Sequence, residues 1–169
     1  MTKRAEMEIH MVNVTFITVG TLKEDYLRDA VAEYVKRLSG FCRPKIVELK
    51  EVKLSESPSE SEISAALSAE GERILAAAGQ RSYKIALCVE GKQFPSEKLA
   101  DIIDRACMVS SDICFIIGSS FGLAPEVKSA CDLRLSVSEL TFPHQLMRVI
   151  LAEAVYRAFT IIKGTKYHK

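Results

Sequence analysis

Residues 137–169 hold the groups whose types and spacing could do chemistry. On a helix, Glu153, Arg157 and Thr160 fall within about 60° of one another, and Arg148 points to the opposite side. Glu153 and Arg157 are spaced i,i+4, which is also the spacing of an ordinary intrahelical pair. From Arg157 onward the chain carries Arg157, Lys163, Lys166 and Lys169 and no acidic residue, so this end could contact phosphates or could be a solvated terminus. The stretch Ser136, Val137, Ser138, Glu139, Leu140, Thr141 and Phe142 offers backbone and hydroxyl hydrogen bonds, and Pro143 then pre-sets a first helical turn. An adenosyl group needs such a cradle, with backbone groups at the adenine edge and an apolar wall for the ring.

These groups are positioned by an alternation of strands and helices. Apolar runs predict strands at residues 12–19, 85–89, 113–117 and 133–137, and residues 45–52 alternate as a strand nearer a sheet edge does. Helical spacing predicts helices over 24–38, from Ser59 to Gly79, from Ser96 to about 108, over 125–130, and from Pro143 onward. Ser59 and Glu62 form a capping-box pattern. Repeated strand–helix units with near-continuous apolar strands imply an α/β fold, a mostly parallel sheet flanked by helices. Ligands of such sheets bind at the carboxyl ends of the strands. That rule selects residues 87–91, 118–122 and 137–142. The glycines of Gly118-Ser119-Ser120-Phe121-Gly122 permit a tight turn, yet the segment is neither a dinucleotide fingerprint nor a phosphate loop.

The chain has 169 residues, 48% hydrophobic and 27% charged, a composition that supports one domain over residues 11–169. Residues 1–10 read as an N-terminal extension without the apolar stretch of a secretory signal, and no apolar run is long enough to span a membrane. Five cysteines without a C-x-x-C pair predict free thiols in a reducing, cytoplasmic setting, and three scattered histidines predict no metal site. The formal charge of +1 favours no partner class by itself.

The last helix is apolar at nearly every position from Leu146 to Ile162. Burying a large apolar side chain contributes roughly 1.5–3 kcal/mol, so leaving four or five wet would forfeit about 6–15 kcal/mol. The helix therefore needs cover on two sides, from its sheet and from something else; a second copy of the chain, which predicts a homodimer, is favoured over a central place in a larger monomeric core.

The order F-I-I-G-x-x-x-G-L, then S-x-S-x-L-T-F-P-H-Q-L-M-R-V-I-L-x-E-x-V-Y-R-A, then a terminal Y-H-K resembles the SPOUT superfamily, and within it the small stand-alone ribosomal RNA large-subunit methyltransferase H family. The resemblance runs from Met11 to Lys169. It implies a C-terminal trefoil knot, a homodimer, and S-adenosylmethionine bound at Leu87, Gly118 and the stretch Val137, Ser138, Glu139, Leu140, Thr141 and Phe142. It further implies methylation of N3 of a pseudouridine in large-subunit ribosomal RNA, on the assembled ribosome, with Glu153, Arg157, Tyr167 and His168 at the catalytic site. Ser119 and Phe121 depart from the family's usual glycine and its usual acidic residue or Asn. In this reading Arg157 stabilises the developing anion, Glu153 orients Arg157, Tyr167 meets the base, and His168 accepts the proton. His144 is a helix-start residue. Arg148 reaches across a dimer or closes a buried salt bridge, with the first favoured. Two other classes compete: a non-catalytic RNA- or ribosome-binding module on the same scaffold, and a flavodoxin-like nucleotide or flavin binder. The second is disfavoured by the poor loop at residues 19–24.

Overall fold

Continuous apolar runs make the centre of the sheet. The computed structural model describes residues 11–169; the expected extension at residues 1–10, with His10, lies outside the described residues. In β4 (Asp112–Ile117) every residue after Asp112 is buried, as a strand covered on both faces requires. It lies between β1 (Asn13–Val19) and β3 (Tyr83–Lys92), with β2 (Arg43–Leu49) and β5 (Leu133–Leu135) at the edges. All four pairings are parallel, and the order is β2-β1-β4-β3-β5. The expected α/β class and the edge position of the second strand are both observed.

The strand period of two divides the core. Val14, Phe16, Ile113 and Phe115 face α1 (Asp25–Leu38), α3 (Ser96–Val109) and α5 (His144–Ile162). Ile17, Val19, Cys114 and Ile116 face α2 (Glu60–Ala78) and α4 (Pro125–Ala130). The predicted capping box starts α2: the Glu62 N–H donates to Ser59 Oγ at 3.2 Å, and the Ser59 N–H donates to Glu62 Oε2 at 2.8 Å.

Three local expectations change. Pro95, not Ser96, is the N-cap of α3, and no side chain bonds that cap. β3 runs on to Lys92, because after a register shift Lys92 pairs with Leu135. β5 ends at Leu135; the Ser136 N–H still donates to the Lys92 carbonyl at 3.1 Å before the chain leaves the sheet. The crossing is tight. A Cβ on Gly91 would stand 2.5 Å from the Leu135 carbonyl carbon, so only glycine fits beneath this segment.

α5 packs between α1 and α3 on one sheet face. Along α5, Leu146 stays exposed and Val149, Ile150, Ile161 and Ile162 are only half-buried, so part of the apolar surface that the sequence argument assigned to another copy of the chain is uncovered within one chain. Arg148 takes the second of its two expected roles. It is 5% exposed; its Nη2 donates to the Val19 and Gly20 carbonyls at 2.9 and 3.0 Å, and its Nη1 to Glu48 Oε2 at 3.2 Å. It therefore fastens α5 to the ends of β1 and β2 within one chain.

Candidate active site

The carboxyl ends of β3, β4 and β5 surround a cavity of about 480 Å³. Leu87, Gly118, Val137, Ser138, Leu140, Thr141 and Phe142 line it, which brings together every predicted cofactor residue except Glu139. Glu139 is exposed and is not part of the lining. Sequence reasoning missed Leu135, His144 and Met147 among the lining residues. Leu135 directly precedes the predicted stretch that opens at Ser136, and the other two sit on the opening turn of α5, so extending the strand-end rule by a few residues in each direction would have reached them.

The turn after β4 is fixed by its glycines. A Cβ on Gly118 would lie 2.1 Å from the Gly122 carbonyl oxygen, and Gly122 has φ 89°, a region that other residues rarely adopt. The Gly122 N–H donates to the Ser119 carbonyl at 2.9 Å. Over residues 137–142 the backbone is irregular: the Leu140 N–H donates to Ser138 Oγ at 3.0 Å, and the amides of the other five find no backbone partner among the described residues. These are the free polar groups that an adenine edge can use, while Leu87, Ile117, Leu135, Phe142 and Met147 provide the apolar wall. Glu90 and Lys128 form an ion pair at the lining. Burial, and then the nearby Arg148 guanidinium, pushes the His144 imidazole below its usual range.

Glu153, Arg157, Tyr167 and His168 form a second cluster. Glu153 Oε1 accepts from Arg157 Nε at 3.0 Å and from the Tyr167 hydroxyl at 3.1 Å. The Arg157 guanidinium lies 4.8 Å from the centre of the Tyr167 ring, whose other neighbour is Tyr156. The C-terminal end is thus folded back on α5. Hydrogen bonding to Glu153 raises the Arg157 pKa further, and burial together with bonds to Tyr34 and Glu153 pushes the Tyr167 phenol up to about 12. Arg157 Nη1 lies 3.3 Å from His168 Nδ1 and Glu97 Oε1 lies 2.9 Å from His168 Nε2. Because a guanidinium only donates, Nδ1 must accept and Nε2 must carry the proton. In this arrangement neither ring nitrogen of His168 is free to take a proton from substrate.

The two clusters do not meet. Glu153 and Arg157 follow Met147 by six and ten residues, about 9 and 15 Å along the helix at 1.5 Å per residue, and none of the four lines the cavity. All five cysteines are free, and burial pushes each thiol up, Cys42 to about 12 and Cys131 to about 11, so none is an activated nucleophile. Among the described residues no helix is long and apolar enough to cross a membrane.

The arrangement can be set beside known proteins. A family model described as "Predicted SPOUT methyltransferase" matches residues 12–168. A Streptococcus thermophilus protein named ribosomal RNA large subunit methyltransferase H is 52% identical over 159 residues, covering 94% of this chain and all of its own length. A Leuconostoc mesenteroides protein of the same name is 48% identical over 159 residues with the same coverage. A solved structure of a probable methylase family protein from Haemophilus influenzae superposes with a TM-score of 0.55 at 15% identity, covering 92% of this chain and 70% of that one, a likeness of fold. On the family match across nearly its whole length, and on relatives about half identical to it, this chain belongs to the SPOUT methyltransferase family.

Proposed function

We propose that the chain transfers a methyl group from S-adenosylmethionine to N3 of a pseudouridine in large-subunit ribosomal RNA, on the assembled ribosome and in the cytoplasm, as a homodimer. The observation that carries the cofactor assignment is the cavity at the carboxyl ends of β3, β4 and β5, where unpaired backbone amides face an apolar wall. Its volume suits a nucleoside-sized ligand. The ribosomal RNA target rests on the names of the relatives, and the N3 position on the family resemblance of the sequence. The threading of the C-terminal segment as a trefoil knot rests on the family resemblance of the sequence.

When bound, S-adenosylmethionine supplies an electrophilic methyl on a sulfonium sulfur. An imide N3–H is a poor nucleophile until its proton leaves, so the residues around it have two tasks: to hold the ring and to favour its anion. Arg157 suits the second task, since Glu153 fixes its guanidinium in place and keeps it charged. Tyr167, whose phenol stays protonated far above neutral pH, can donate to a ring carbonyl once the base replaces Glu153 as the acceptor of its one O–H. His168 becomes a proton acceptor at Nδ1 once substrate displaces Arg157 from it. Transfer needs the attacking atom within about 3–3.5 Å of the methyl, whereas in one chain the quartet lies well away from the cavity. A second copy can bring its own quartet to the cavity mouth, where Phe121, Val137, Leu140 and Leu146 are exposed apolar residues.

The test is isothermal titration with S-adenosylmethionine, followed by methyl transfer to large subunits and whole ribosomes with and without the pseudouridine. Binding, together with transfer that depends on the pseudouridine, is expected. A well-folded protein that binds ribosomal RNA but not S-adenosylmethionine would instead be a non-catalytic module.

A further inference from the structure

The G-x-x-x-G turn contains a serine at the cavity lining whose hydroxyl is already engaged with α2. Ser119 is 6% exposed, and its hydroxyl donates to Oε2 of Glu70 on α2 at 3.1 Å. Glu70 is itself 3% exposed, and its Oε1 accepts the Val52 N–H at 2.9 Å. No ion pair among the described residues includes Glu70. A buried carboxylate without a countercharge is costly, and removing one of its few donors is costlier still. A packing role alone would be filled better by leucine. Its two oxygens instead link two loops far apart in sequence, the chain after β2 and the turn after β4.

The neighbouring geometry places α2 to do this. A Cβ on Gly71 would lie 3.0 Å from Val127 Cγ2 and 3.3 Å from the Ala124 Cβ, so the glycine lets α2 settle onto α4. That approach carries Glu70 to the back of the turn whose front lines the cavity. The Ser119 backbone also accepts the hydrogen bond that closes the turn. Anchoring its side chain therefore fixes the backbone that a ligand would meet.

We infer that Glu70 is a positioning residue for the cofactor-binding turn, acting through the Ser119 hydroxyl; this rests on reading the cavity as the S-adenosylmethionine site. Ser119→Ala cuts the link at the turn, Glu70→Leu removes it altogether, and Glu70→Gln preserves it. In the last variant the amide oxygen can accept from Val52 and the amide nitrogen can donate to Ser119 Oγ.

Two readouts test this on the full chain: the Kd for S-adenosylmethionine by isothermal titration, and amide hydrogen exchange at Gly122 without ligand. Ser119→Ala and Glu70→Leu are expected to weaken binding about ten-fold, the order of one hydrogen bond to a charged group, and to speed exchange at Gly122. Glu70→Gln should recover most of both losses. The double variant Ser119→Ala, Glu70→Leu should be little worse than Glu70→Leu alone. Wild-type binding and exchange in Ser119→Ala, or simple addition of the two losses, would overturn the inference. If Glu70→Leu does not fold, Ser119→Ala and Glu70→Gln still decide it. If the wild type binds no S-adenosylmethionine, the cavity reading fails, and the exchange rates alone decide whether the tether holds the turn.

Discussion

At the scale of single residues, the chemistry depends on how much of each polar group is already engaged. Glu153 Oε1 accepts from both Arg157 and Tyr167, so Glu153→Gln loses the charge that fixes both. We expect that variant, and Arg157→Lys, to lower kcat by about ten- to a hundred-fold with S-adenosylmethionine Kd unchanged, since a lysine cannot reproduce the planar fork; single-turnover transfer with a parallel titration checks this. Tyr167 allows a test of the folded-back end by pH. Its phenol ionises at 10.0 in the ordinary case and at about 12 here. Between those values the unfolded chain has lost a proton that the folded one keeps, so the stability from this group is complete below pH 10 and fades as pH rises toward 12. The stability advantage of wild type over Tyr167→Phe should therefore be flat below pH 10 and shrink above it, as read from denaturant midpoints across the alkaline range. A constant difference at every pH would mean that the phenol is not held in this environment.

At the scale of elements, Arg148 is the fastener whose loss should be felt most. Arg148→Met leaves the Val19 and Gly20 carbonyls without their donor and Glu48 without its cation. Breaking a buried pair costs about 3–5 kcal/mol, but Glu48 is partly solvated, so we expect about 2–3 kcal/mol by chemical denaturation. This residue also marks the limit of what its sequence context conveys. A lone arginine on an apolar helix face is readable; the partners waiting for it 100 and more positions earlier are not. The alternation of strands and helices was legible because each buried strand is a short apolar run, and the turns that line the cavity followed from the rule for strand ends. The strand order was not legible: β1, β3 and β4 are all apolar, and nothing local distinguishes which lies beside which. The same limit applies to α5: its apolar surface was legible, but its flanking by α1 and α3 is a long-range fact. Ser119 belongs here too, since its partner Glu70 lies 49 positions away.

At the scale of the whole molecule, the proposed reaction requires the cavity and the quartet to act on one base. They lie on different stretches of α5, and a rigid helix does not bring its own turns together. Pairing two chains does, if each cavity is completed by the other chain's Arg157 and Tyr167. This arrangement has a signature that one-chain catalysis lacks. Take one variant unable to bind cofactor, Gly118→Val, whose side chain would run into the Gly122 carbonyl, and one with its quartet disabled, Arg157→Ala. Each homodimer should be inactive. After mixing and subunit exchange, half of the pairs combine one chain of each kind. In those pairs one of the two sites has an intact cavity facing an intact quartet, so methyl transfer should return to about a quarter of the wild-type level. If each chain completes its own site, every site in the mixture still carries a lesion, and activity stays at zero however long the subunits exchange. Capture of the untagged variant through an affinity tag carried by the other confirms that subunits have exchanged, so a silent mixture that has exchanged would place cavity and quartet in the same chain and require the C-terminal end to move toward the cavity when the base enters.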